Sequence, residues 1–186
     1  MLTVWDWMET LADCVANGIA DGDDAALPEI RYGYPNVGVP PADCCGTGVI
    51  TAEHGERWPT SGTWPPRSQT IEQREFQKGC TEVSSAQKVT ISYYICGPTI
   101  TESGGMPPKD KREEYGLRLA EAEARTWAAI ICCLPEISKN LRAKVGLDNL
   151  IPLDPEGGCG GFRVGFTVEL PSCCVEPGTE DDEDDE

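Results

Sequence analysis

Residues 157–170 read GGCGGFRVGFTVEL, a glycine-crowded corner that turns directly into a strictly alternating segment. Phe162, Val164, Phe166, Val168 and Leu170 would project to one side, and Arg163, Gly165, Thr167 and Glu169 to the other. Side chains alternate across a strand, so this pattern predicts a half-buried strand with one side on a core and the other wet. Whatever else the chain does, it must cover that apolar side.

Two segments have the pattern to do so. Residues 3–19 carry Val4, Met8, Leu11 and Val15 at helical spacing, with Trp5, Ala12 and Ile19 widening the stripe. Thr3 followed by Asp6 resembles a capping box. Residues 109–134 predict a second helix with a stripe of Leu117, Ala120, Ala124, Trp127, Ile131 and Leu134, started by Asp110 and Glu113 and ended by Pro135. Residues 87–96, QKVTISYYIC, are semi-apolar on both sides and predict a central strand. Residues 141–150 are ambiguous and read as a helical turn and a short strand. The order predicts an α+β fold: a mainly antiparallel sheet with two amphipathic helices packed on one face. It fills one domain over residues 1–175, and residues 176–186 form an acidic, disordered tail. Residues 28–79, broken by Pro35, Pro40, Pro41, Pro59, Pro65 and Pro66, read as a long irregular arm with one short strand at 48–52. Clasping a neighbouring subunit is one way to order such an arm.

The charge narrows the partners. The 186 residues carry a net charge of −17, and the remainder is still acidic without the run at 180–186. Tight nucleic-acid binding draws on Lys and Arg neutralising phosphates, so a DNA-gripping surface is excluded, whereas one that lets DNA slide past suits this sign. No run of 18 apolar residues occurs, so no membrane span is expected, and the N-terminus lacks the basic start of a signal peptide. Synthesis and use in a cytosol follow as the expectation.

Chemistry-bearing residues are few or badly spaced. His54, the single histidine, sits in a charged, loop-like stretch and is not expected to be catalytic. The ten cysteines include the adjacent pairs Cys44–Cys45, Cys132–Cys133 and Cys173–Cys174. Neighbouring side chains diverge on strand and helix alike, so these are poor chelates and no metal is expected. Disulfides disagree with a reducing cytosol, and the sequence cannot choose among pairings; Cys14, Cys96 and Cys132 or Cys133 read as small hydrophobes. The glycines around Cys159 lack dinucleotide-fingerprint spacing and precede a strand, so they read as a tight bend with Cys159 buried against a neighbour. Glu113, Glu114, Glu121 and Glu123 alternate with bases on a helix, as a solvated face does. No cofactor is expected.

An N-terminal amphipathic helix with an early cysteine, PADCCGTG, a strand ending YYICGP, a helix carrying CC, and GGCGGFRVGFTVEL occur in this order over residues 3–170. That arrangement resembles a group of tail-neck proteins of long-tailed actinobacterial phages, the tail terminators or head-to-tail connectors. The resemblance implies a hexameric ring in the virion, at the head–tail junction. Such a ring caps the major tail tube protein, ends tube growth, joins a head-to-tail stopper or other neck protein and passes DNA through its lumen. No enzymatic activity is implied. The candidate contacts between subunits are Pro40, Cys44, Cys45, Trp58, Trp64, Gly157, Gly158, Cys159, Gly160 and Gly161. Cysteines kept reduced during assembly would oxidise after host lysis. Alternatives are another neck ring, a helical adaptor or a β-barrel stopper, and a cysteine-rich metal-binding module.

Overall fold

A computed structural model describes residues 2–20, 26–33, 44–60, 84–98, 105–156 and 158–170. The elements run α1 (Val4–Ile19), β1 (Glu29–Gly33), β2 (Val49–Thr60), β3 (Ser84–Cys96), α2 (Lys109–Leu141), β4 (Val145–Glu156) and β5 (Cys159–Leu170). The strands form one sheet in the order β1-β2-β3-β5-β4. Only β1 and β2 run parallel; the other pairs are antiparallel. Both helices pack on one face, which makes the fold α+β, with β3 in the middle of the sheet as its two semi-apolar sides required.

The core lies between that face and the helices. In register across the sheet, Ile50 meets Tyr93 and Tyr93 meets Phe162; Ala52 meets Ile91 and Ile91 meets Val164. Phe162, Val164, Phe166 and Val168 are fully buried, as the alternation predicted. Each such side chain contributes roughly 1.5–3 kcal/mol on leaving water. From α1, Trp7, Met8, Leu11, Ala12 and Val15 press into the same layer, and the Trp7 indole donates to the Glu169 carbonyl at 3.1 Å. The capping box holds: Thr3 N donates to Asp6 Oδ2 at 2.6 Å, and Asp6 N to Thr3 Oγ1 at 3.4 Å.

Five expectations need correction. The stripe assigned to α2 lies on its outer side: Leu117, Ala120, Ala124, Trp127 and Ile131 are exposed, and only Leu134 is half-buried. The buried residues are Ala122, Thr126, Ile130 and Ile137. This inner side is built from smaller groups because α1 crosses close by; a Cβ on Gly18 would lie 2.7 Å from the Ala129 Cβ. Pro135 does not end the helix. The chain continues to Leu141 because Ile137 is buried there and Arg142 closes the end in the left-handed region (φ 51°), where Ala143 N donates to the Ser138 carbonyl. Nor do Asp110 and Glu113 cap it; Pro108 precedes the first turn without a side-chain cap. Of the stretch read as an arm, the described residues hold β1 and a full-length β2 in place of the one short strand expected at 48–52, with a register shift between His54 and Arg57 that prolines and charges conceal; the rest of that stretch, like the tail read at 176–186, lies outside the described residues. Residues 141–150 hold the expected helical turn and strand, the strand running on to Glu156.

The cysteines are the fifth correction. Among the described residues three disulfides join Cys14 to Cys133, Cys44 to Cys159 and Cys45 to Cys96, across Cα separations of 6.4, 6.0 and 4.5 Å. Cys14, Cys96 and Cys133 are therefore cross-links, and Cys132 is an exposed thiol. The divergence that makes adjacent cysteines poor chelates makes them good clasps. Cys44 and Cys45 reach two strands at once, because Cys96 and Cys159 are register partners.

Candidate functional site

The glycine-rich corner proves to be an internal joint. Gly158 turns the β4–β5 hairpin at φ 85°, and its carbonyl accepts from Gly97 N at 2.8 Å. A Cβ on Gly161 would collide with the Tyr93 carbonyl, so only glycine lets β5 lie this close to β3. Cys44, Tyr94 and Cys159 form a small second core on the sheet face away from the helices, with Leu153 packed against it. Gly46 and Gly48, at φ 102° and 90°, bend the chain from Cys45 into β2.

Of the contacts expected between subunits, Cys44, Cys159, Gly160 and Gly161 are thus buried within a single copy, and Cys45 is exposed but bridged. Trp58 is half-buried on β2, with an indole nitrogen that has no hydrogen-bond partner among the described residues. Pro40, Trp64 and Gly157 lie outside the described residues. His54 stands on β2, not in a loop, and its Nδ1 lies 3.2 Å from the Gln87 side-chain amide. Gln87 is neither a nucleophile nor a carboxylate that could orient the ring. Among the described residues no cluster of His, Cys, Asp or Glu is arranged to hold a metal ion, and no helix is long and apolar enough to cross a membrane.

What stands out instead are two apolar surfaces at opposite edges of the sheet. At the β4 edge, the outer stripe of α2 presents Leu117 (62% exposed), Trp127 (39%) and Ile131 (54%). Ala120, Glu123, Ala124 and Trp127 line a shallow groove with Leu150 of β4. Large apolar side chains gathered on one exposed helix side make this patch a candidate interaction site. At the β1 edge, Trp5 is 47% exposed and packs at a tilt against Tyr32 with ring centroids 4.7 Å apart, and Leu27 is also exposed. The Tyr32 phenol is pushed up by burial and by the nearby Asp13 and Glu9 carboxylates. Within the described sheet, β1 pairs with β2 alone and β4 with β5 alone, so each patch adjoins an edge strand.

Sequence reasoning found the α2 stripe but turned it inward. It placed Trp5 in the core stripe, whereas Trp7, two residues on, is the buried tryptophan. The signal that could have separated the two sides of α2 is the run of small residues, Ala122, Thr126 and Ala129, that a close helix crossing requires. No protein-family model matches this chain, and no curated protein matches it significantly.

Proposed function

We propose that this chain is a structural tile that closes into a ring, acting as the tail terminator of a long-tailed phage. In this role it sits in the virion at the head–tail junction. It caps the last ring of tail-tube subunits, ends tube growth and docks the neck while DNA passes through the lumen. The reading involves no catalytic step and no cofactor.

The observation that carries the assembly part is the exposed apolar stripe of α2, which has apolar counterparts at the opposite edge of the sheet. A closed ring of identical copies needs two different surfaces on each tile, facing in different directions. The phage setting rests on the resemblance of the motif order over residues 3–170. The α+β layer favours a terminator over a mostly helical adaptor or a small β-barrel stopper. On the charge, the described fold interleaves acids and bases, and most of the excess negative charge belongs to other segments, notably Asp21, Asp23, Asp24 and residues 180–186.

Sedimentation of the purified protein, alone and with tail-tube subunits, tests the reading. A ring-sized species that blocks further tube growth is expected. A chain that stays monomeric under both conditions and leaves tube length unchanged contradicts it.

A further inference from the structure

We propose that copies of this chain join head to tail, the α1–β1 edge of one seating on the α2–β4 edge of the next. This inference rests on the ring reading above and names the two surfaces that build the ring.

Geometry is the first argument. β1 and β4 are the outermost strands of a five-stranded sheet, so the two apolar patches are separated by its full width, about 19 Å at the usual strand spacing. Patches on opposite edges let one copy meet two neighbours, and one patch cannot close a ring by pairing with itself, because a self-complementary contact stops at the dimer.

Charge is the second argument, and it selects the partner. Helix α1 carries Asp6, Glu9 and Asp13 and no lysine or arginine. Glu9 and Asp13 follow Trp5 at steps of four, on the side that meets Tyr32, and both are exposed. At the other edge, the end of α2 and the entry to β4 carry Lys139, Arg142 and Lys144, all exposed. Lys144 is only loosely engaged, 3.8 Å from Glu169. Glu123 lines the α2 groove and Glu136 is exposed on the last turns of α2, so the excess of bases is confined to Lys139, Arg142 and Lys144 at one end of that edge. Pairing like edges would set carboxylates against carboxylates or cations against cations. Pairing unlike edges sets Trp5 and Tyr32 on the Trp127–Ile131 stripe and brings Glu9 and Asp13 toward the basic end.

A charge-swap experiment tests this on the full chain, with tail-tube subunits present. Glu9→Lys with Asp13→Lys should lower ring formation at least tenfold, and so should Lys139→Glu with Arg142→Glu. Combining all four substitutions in one chain should restore rings to near the wild-type level. All four positions are exposed, and circular dichroism and urea midpoints check that each variant folds. If either double variant assembles normally, or the four-fold variant stays as defective as its parents, the edges do not meet in this way. Normal rings that no longer bind the tube would assign the surface to the tube subunit and likewise overturn the inference. In both cases the ring reading survives. A wild-type chain that never assembles, even with the tube, ends both.

Discussion

Removing the Cys14–Cys133 bridge should cost the oxidised protein about 4 kcal/mol, and the figure follows from the topology. The two cysteines are 119 residues apart, and closing a loop of that length restricts the unfolded chain by about 5 kcal/mol. The other bridges shorten the path: through Cys44–Cys159 the unfolded chain connects Cys14 to Cys133 over roughly 57 residues, which lowers the estimate to about 4 kcal/mol. With a urea dependence of about 2 kcal/mol per molar, the midpoint of Cys14→Ala/Cys133→Ala should fall by about 2 M under non-reducing conditions. Adding reductant should shrink the difference between variant and wild type, because both then lack the bridge. Alkylation under denaturing conditions, followed by peptide mapping, should find Cys132 labelled and Cys14 and Cys133 protected in the oxidised wild type. Equal midpoints without reductant, or a labelled Cys14, would refute the reasoning.

Other outcomes follow from the packing. Ile130→Ala empties a buried site and should cost about 2–5 kcal/mol, whereas the neighbouring Ile131→Ala, on the outer side, should stay within about 0.5 kcal/mol in the monomer while weakening assembly; thermal denaturation separates the two. Gly161→Ala should prevent normal β3–β5 pairing, because the new methyl meets the Tyr93 carbonyl, and should be seen as loss of soluble folded protein. Gly116→Ala, with nothing within 4 Å, should stabilise α2 by about 0.8–1 kcal/mol in the same assay. The Asp6 carboxylate is held below its ordinary pKa, chiefly by the Thr3 hydroxyl. Its contribution is therefore present above the ordinary aspartate value and lost as the pH falls through the lowered one. Asp6→Asn should be less stable than wild type near neutral pH, and the gap should close in strong acid.

How much of this was legible varied with how completely one side of an element is buried. β5 was readable because its alternation is unbroken from Phe162 to Leu170, and α1 because a capping box precedes a single stripe. The inner side of α2 was not readable, since the helix has two apolar sides and periodicity reports their existence without saying which neighbour each meets. Thr126 and Ala122 are poor advertisements for a core position, yet a close helix crossing needs them. Pro135 gave the right local signal, a lost hydrogen bond, but burial of Ile137 holds the next turn in place. β2 was hidden because its register shifts after His54, which interrupts the period-two pattern. Disulfide partners were illegible for a different reason: Cys44 and Cys45 meet Cys159 and Cys96 only once three strands are in register. The surface now proposed as an interface was visible as a stripe, and only the packed fold put it on the outside.

The most direct measurement of the central claim is a cryo-electron microscopy reconstruction of the protein assembled with tail-tube subunits. A closed ring at the end of the tube is expected, with Trp127 and Ile131 of every copy buried against the neighbouring subunit. A ring in which that helix side faces solvent, or tubes that end without this protein, would contradict it.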